Sequence, residues 1–406
     1  MNDVTTIAHG RRMAATREWP ADAAAWLARI AAIAPTVAAG SPAADRDRRL
    51  TDETMAALHG EGLLRLLLPR EFGGAQISPP VLYCITEALA AVDGSASWCA
   101  CQGSGCAMMA AYLPPAVAHG IWDDPRAVLA WGPGKAEARV VDGGYSVTAR
   151  ISFVSGGRHA TWFGAHCTVF ERDGSVRIGA DGVPEIRTVL FPSARAPMID
   201  MWDVIGLRGT GSDGYAIDDL FVPDDHTVVR ETAVDRPGLG PIYRFSQMGI
   251  YAIGFAGTAM GLARAFLDAF LPLAQDKKPR NGPAILRDNP VVQDELARCE
   301  ARLLAARAFL LGESERIWDA VVAADAMSIE QRMRIRLASV HAIQEAKAVV
   351  DTLYDTVGAS AIFASGPFER RFRDIHTVAQ QIQGRKTHYQ IVGAWMMGHP
   401  PDLLVI

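Results

Sequence analysis

The sequence predicts an α+β chain in three successive parts: an N-terminal helical domain over 1–125, a small antiparallel β-barrel or sandwich over 126–235, and a C-terminal four-helix bundle over 236–406. Three observations carry this. Apolar residues recur at i, i+3/i+4 in the first and last parts. In the middle part the period shortens to two, and Gly143-Gly144, Asp173-Gly174, Asp181-Gly182 and Asp213-Gly214 punctuate the runs as turns do. Long helical stretches with short links then close the chain, the pattern of a bundle.

The elements follow in order. An Ala-rich amphipathic stretch over 22–38 predicts a helix interrupted at Pro35. Thr51 or Asp52 caps a second helix that ends near Gly60 and Gly62. Helices are expected over 79–92 and 97–113. Strands are expected over 127–131, 138–141, 145–153, 160–170, 176–178, 187–191 and 215–222. Helices return over 245–274, 289–323, 329–357, 371–383 and 387–397. Gly249, Gly254, Gly257 and Gly261 in the first of these allow close helix approach.

Composition excludes several function classes. Half of the 406 residues are hydrophobic, enough for a sizeable core, and the net charge of −5 argues against a nucleic-acid binder. The basic stretch Arg11-Arg12 to Arg17 is followed by no apolar run, so it is not an export signal. The most apolar segment, 249–263, stops at Arg264, short of the roughly 20 residues a bilayer needs, and reads as a buried helix. The expectation is a soluble cytoplasmic protein without a membrane or nucleic-acid partner. Six cysteines form no CxxC pair, and Cys99-x-Cys101-x4-Cys106 has no histidine nearby, so no metal site is expected.

Gly206-Leu-Arg-Gly-Thr-Gly-Ser212 looks like a phosphate loop, but a strand rather than a helix follows it, which argues against a dinucleotide fingerprint. A structural turn and a ligand loop are equally open readings. His159, His376 and His388 are scattered and read first as structural histidines. Arg332, Arg334 and Arg336 form a basic run on a helix, read either as a solvated, carboxylate-paired face or as a phosphate holder at a subunit interface. Trp98, Met108, Trp202, Phe245, Tyr251 and Trp395 are the residues that would line an apolar substrate cavity, with plain core packing as the competing reading.

Specific strings add a resemblance that covers nearly the whole chain. Leu68-Pro-Arg-Glu-Phe-Gly-Gly74, Trp202-Asp-Val-Ile-Gly-Leu-Arg-Gly-Thr-Gly-Ser212, Val222-Pro223 and the segment from Gly358 through Pro367 to Arg373-Asp374 resemble the acyl-CoA dehydrogenase superfamily. The resemblance implies a flavin-binding homotetramer or homodimer. Dehydrogenases of that superfamily use a glutamate base after the Arg-Asp segment or on the first bundle helix. Here no Asp or Glu lies between Asp374 and Asp402, nor between Asp235 and Asp268, and Ile382 and Tyr251 stand near the two positions. Neither removes a carbon-bound proton at neutral pH.

Trp131-Gly-Pro-Gly-Lys-Ala136, Gly143-Gly-Tyr145 and Phe153-Val-Ser-Gly-Gly-Arg-His-Ala-Thr-Trp162 look like the branch of two-component flavin-dependent monooxygenases. That branch takes reduced flavin (FADH2 or FMNH2) from a separate NAD(P)H flavin reductase and uses O2 to oxygenate a small aromatic or heteroatom-containing substrate through a C4a-hydroperoxyflavin. The resemblance implies that Ser155 and Gly156 lie at the reactive edge of the flavin. Trp131, Arg208, Thr210 and Ser212 would line its site, and Arg280 would reach a flavin phosphate of the neighbouring subunit. The branch often has Gln-His where this chain has Gln380-Gln381, so its usual acid/base is missing, and Gln381, His388 and Tyr389 are the candidate replacements. Ala149-Arg150-Ile151 also departs from the branch's Gly-Arg-Trp. A dehydrogenase-like FAD oxidoreductase with another base, and a flavin-free scaffold of the same fold, are the alternatives.

Overall fold

The computed structural model describes residues 20–179, 182–229, 239–280 and 284–401; the basic stretch at 11–17 and Asp181 lie outside them. Helix α1 (Ala24–Asp47) runs straight through Pro35 and Pro42 rather than stopping. Both prolines lie on the exposed side, while Ile30, Ile33, Val37 and Ala44 stay buried. Each ring removes one backbone donor, and the buried stripe outweighs that loss. Helix α2 (Asp52–Gly60) is capped by Thr51, whose hydroxyl accepts the Thr54 N–H at 3.2 Å. Helices α3 (Pro79–Val92) and α4 (Gly94–Ala107) meet at Asp93, which caps α4 by accepting the Ala96 N–H at 2.8 Å. A short helix that the pattern did not suggest, α5 (Pro115–Trp122), follows.

The middle third forms β1 (Leu129–Ala130), β2 (Gly134–Val141), β3 (Gly144–Ile151), β4 (Trp162–Phe170), β5 (Ile186–Pro192), β6 (Met198–Ile199), β7 (Gly214–Pro223) and β8 (Thr227–Val229). The strand order is β6-β7-β3-β2-β4-β5-β8, with β1 also on β4. This corrects the expected antiparallel barrel: among the described residues the sheet is open, and β4 pairs parallel with β1 and β2. The reason is topological. β2 and β3 form a hairpin, and the chain then crosses over β2 to its far side. A strand antiparallel to β3 that lands beyond β2 must run parallel to β2. The run expected over 176–178 makes only isolated bridges, to Phe170 and Pro184. Phe163 stacks on Tyr215 at 4.7 Å inside the sheet, and the Tyr215 hydroxyl donates to the Gly164 carbonyl at 2.8 Å.

The last third holds α6 (Gln247–Asp276), α7 (Pro290–Ala324), α8 (Ile329–Val357), α9 (Glu369–Gln380) and α10 (Thr387–Met396). Helix α6 packs on α3 and α4 along one side and on α8 and α9 along the other. Gly257 and Gly261 make this possible, since a Cβ on either would run into the backbone carbonyls of Tyr83 and Glu87 on α3. By length and composition both α1 and α6 could cross a membrane. The apolar window of α6 is wholly buried in the protein, whereas that of α1 is mostly not.

Candidate active site

Two loops meet beside α4. The first, 152–161, is the crossover from β3 to β4, and carries Phe153 at φ 56° and Gly156 at φ 75°. The second, 200–213, has Leu207 at φ 50° and Gly211 at φ 49°. Backbone bonds stitch them together: Val154 N–H to the Asp213 carbonyl at 2.9 Å, and Gly156 N–H to the Thr210 carbonyl at 2.8 Å.

That stitching lines up four side chains. The Trp98 indole N–H donates to Ser155 Oγ at 3.1 Å. Ser155 Oγ lies 2.7 Å from Ser212 Oγ, which lies 2.7 Å from Thr210 Oγ1, and Thr210 donates to the Leu207 carbonyl at 2.8 Å. The direction of the row is fixed at both ends, because an indole N–H only donates and a carbonyl only accepts. Thr210 spends its proton on Leu207, so Ser212 donates to Thr210 and Ser155 donates to Ser212. Ser155 is left with one unspent lone pair and no spare proton.

The second loop is held by two buried carboxylates. Asp213 accepts the N–H groups of Met201 and Trp202 at 2.9 Å and pairs with Arg158. Burial raises its pKa, but Arg158 and the two amides overcome that and hold the group below the usual range. Asp374 on α9 accepts the Leu207 N–H at 2.6 Å. Burial pushes its pKa up to about 7 against that bond, with the Asp93 carboxylate adding to the rise. An acid whose folded pKa lies above its unfolded value adds stability below the unfolded pKa and loses it as pH rises through the folded one. Asp374→Asn is therefore expected to gain on the wild type by on the order of 1.4 kcal/mol per pH unit between about pH 4 and 7. Urea denaturation of both proteins across that range checks this; parallel profiles would refute it.

From Ser155 an aromatic ladder runs along α6. Trp98 stacks on Phe255 at 3.7 Å, and Phe255 on Tyr251 at 5.5 Å. The Tyr251 hydroxyl lies 3.4 Å from Cys106 Sγ and from Gln102 Nε2. Its ring occupies the space that a side chain at Gly105 would need. One turn earlier on α6, Gln247 donates to the Gly105 carbonyl at 3.3 Å and borders a cavity of about 260 Å³. Met108 and Phe245 line that cavity too, together with Met109, Met327 and Arg332.

Other expected site residues lie apart. Arg208 spends its guanidinium on the carbonyls of Asp45 and Val204. Trp202 donates to the Leu207 carbonyl and meets Phe153 edge-on at 6.0 Å. Trp131 packs against Gly164 and His166. Arg280 is exposed between α6 and α7, and Trp395 joins Met333 and Val392 in a small satellite cluster. Gln381 accepts the Gln383 N–H at 2.7 Å, and Tyr389 is half-buried. His388 is buried, its Nε2 2.6 Å from the Ile382 carbonyl, and burial with the nearby Arg336 charge lowers its pKa to about 4. It is a neutral imidazole at pH 7. The reading of residues missed Asp213, seen as a turn residue, and Asp374 as the anchor of the second loop; the Arg-Asp string was the one signal for the latter.

Family models described as acyl-CoA dehydrogenase N-terminal domain and C-terminal domain match residues 25–115 and 253–384. Indole-3-acetate monooxygenase of Pseudomonas putida is 30% identical over 360 residues, spanning 88% of this chain and 90% of that protein. The oxygenase subunit HsaA of a flavin-dependent monooxygenase from Rhodococcus jostii is 29% identical over 86% of this chain and 92% of its own. The chain belongs to the flavin-dependent monooxygenases of the acyl-CoA dehydrogenase superfamily. The solved HsaA monooxygenase of M. tuberculosis superposes on this flavin monooxygenase with a TM-score of 0.84 at 28% identity, covering 95% of this chain and 100% of that one. XiaF from Streptomyces, solved with FADH2 and glycerol, shares the fold with a TM-score of 0.86 at 23% identity, covering 94% of this chain and 97% of its own.

The loops of the monooxygenase fit a flavin ring. Phe153, Met201 and Ile205 on these loops are 57%, 49% and 66% exposed, an apolar margin open to a planar partner. At Gly156 a Cβ would meet only Cys99 Sγ at 3.9 Å, so one face of its backbone is open. The Ser155 lone pair stands beside it.

Proposed function

We propose that this chain is the oxygenase component of a two-component system that takes reduced flavin, FADH2 or FMNH2, from a separate NAD(P)H flavin reductase and oxygenates a small, electron-rich aromatic substrate. Reduced flavin supplies the two electrons with which Ar–H and O2 become Ar–OH and water, leaving oxidised flavin.

The observation that carries the reading is the one-directional row Trp98, Ser155, Ser212, Thr210. With its proton committed to Ser212, Ser155 accepts a hydrogen bond, which suits the N–H of the reduced ring better than the bare nitrogen of the oxidised one. Gly156, Thr210 and Ser212 complete that wall; Trp131 lies apart from it, and Arg208 braces the second loop through the carbonyls of Asp45 and Val204. Buried hydroxyls arranged beforehand exclude water and spend no reorganisation during reaction. His388, neutral and buried, and Gln381, which cannot carry a proton, leave the base role weakly filled. That favours attack by an electron-rich ring over removal of an acyl α-proton. Homologues named for indole-3-acetate and for resorcinol agree with an aromatic substrate.

The finer organisation we propose is a helical domain over 1–125, a sheet domain over 126–235 and a bundle over 236–406 in a soluble, cytoplasmic homotetramer or homodimer, with Arg280 reaching the flavin phosphate of the neighbouring subunit. The complete burial of the apolar window of α6 supports solubility. The deciding experiment mixes the purified chain with NADH, flavin, O2 and an aromatic substrate, with and without a flavin reductase. Oxygenated product is expected only in the complete mixture, with reduced flavin bound more tightly than oxidised. Tight binding of oxidised FAD that bleaches anaerobically on adding an acyl-CoA would overturn the reading.

A further inference from the structure

Arg332, Arg334 and Arg336 stand two residues apart on α8, and the fold gives them different surroundings. Arg334 is exposed and pairs with Glu330 at 3.0 Å and Glu313 at 3.5 Å. Arg336 is buried and donates to Gln383. Arg332 is half-buried, borders the cavity of about 260 Å³, and makes no ion pair among the described residues.

Among the described residues the carboxylates of this corner are engaged elsewhere. Asp325, also on the cavity wall, is gripped by both arms of Arg244 at 2.9 and 2.7 Å. Glu330 belongs to Arg334, and Glu313 is shared by Arg334 and Arg316. Among the described residues the charged groups on the wall are therefore Arg244 and Arg332 against Asp325, a net charge of +1. A guanidinium held partly out of water without a carboxylate is costly unless something anionic completes it. Met108, Met109, Phe245 and Met327 give the wall an apolar side that suits a ring, and Tyr112, Tyr243, Ser246 and Gln247 add polar groups beside it. Its size is at the small end of ligand pockets, roughly 300 Å³ and upward, and suits one or two fused rings rather than a flavin nucleotide.

We propose that this cavity binds an aromatic acid, with the ring among Met108, Met109, Phe245 and Met327 and the carboxylate on the fork of Arg332. This deepens the oxygenase reading and rests on it, since it names the chemical class of the substrate. Arginine suits the task because its planar fork meets a carboxylate with two parallel N–H bonds.

The test is calorimetric titration of the protein, alone and loaded anaerobically with reduced flavin, using indole-3-acetate, 3-methylindole and FMN as probes. The wild type is expected to prefer the acid over the neutral ring at least tenfold. Arg332→Gln should erase that preference while leaving 3-methylindole affinity unchanged, and Arg332→Lys should keep part of it. Equal weakening of acid and neutral ring overturns the proposal. So does an undiminished preference in Arg332→Gln, failure of the wild type to bind either ring, or loss of FMN binding with the acid unaffected. Should Arg332→Gln not fold, Arg332→Lys must still weaken the acid and spare the neutral ring. No turnover is needed, so loss of the charge preference sinks this assignment alone. An enzyme with the preference but no reductase-dependent oxygenation sinks the oxygenase reading instead.

Discussion

Gly206→Ala is expected to destabilise the protein by about 3 kcal/mol and to weaken reduced-flavin binding with it. A Cβ at this position would collide with the carbonyl carbon and oxygen of Arg373 and with Thr377 Oγ1. The Arg373 carbonyl is backbone of α9 and cannot step aside as a flexible side-chain tip can. The neighbouring bonds leave the loop no slack. The Leu207 N–H reaches Asp374 Oδ1 at 2.6 Å, and Arg373 donates to the Ile205 carbonyl at 2.6 Å. Lifting the loop by a methyl radius breaks both and moves Thr210 and Ser212 away from Ser155. Gly312→Ala is the control, since nothing lies within 4 Å of the Cβ it adds. It should be neutral or stabilising by roughly 0.5–1 kcal/mol, as alanine is in an open helix position. Thermal unfolding of both variants, with flavin titration, decides the matter; a Gly206→Ala protein as stable as the control would refute the account.

The second large effect falls on chemistry rather than folding. Ser155→Ala removes the acceptor of Trp98 and the donor to Ser212, and leaves the site without its free lone pair. Loss of such a bond in a buried site is worth about 1–3 kcal/mol, or roughly five- to 150-fold in rate. The expected result is continued O2 uptake with product per NADH falling by that factor and hydrogen peroxide taking its place. Trp98→Phe should act in the same direction but less, because it keeps the ring stacked on Phe255 and removes only the N–H. Product and peroxide measured in the same vessel check both variants. Unchanged coupling in Ser155→Ala would remove Ser155 from the proposed site.

Much of the helical scaffold was legible because its signals are local. The bounds expected for α3 and α8 are those found, since Ser78-Pro79 opens α3, Ser328 with Gln331 forms a capping box for α8, and Gly358 ends it. Long-range consequences were not legible. Strands β6 and β8 are two and three residues long and exist only because β7 and β5 offer them edges. The helical run through Pro35 reflects which side of α1 is wet. At the site, the strings of Phe153–Trp162 and Gly206–Ser212 fall on two loops that the fold brings together, but the bond between Ser155 and Ser212 depends on the β3–β4 crossover. The three arginines of α8 look alike in sequence. Only tertiary packing decides that Arg334 has two carboxylates within reach and Arg332 none among the described residues.

Helix α6 also bears on how this protein can be rebuilt. Its two long sides belong to different halves of the chain, α3 and α4 on one and α8 and α9 on the other, and the glycines at 257 and 261 are cut to the backbone of α3. A chimaera that took its first helices from one homologue and its last from another would break this seam in the middle of the core. Gly257 and Gly261 would face strange carbonyls, and Arg307 on α7 would lose Glu87 on α3, which it holds at 3.0 Å. Exchange of parts between relatives is therefore easier for the sheet, part of whose core is its own, than for either helical half. The unit of inheritance in this fold is α3 and α6 taken together, although more than 150 residues separate them along the chain.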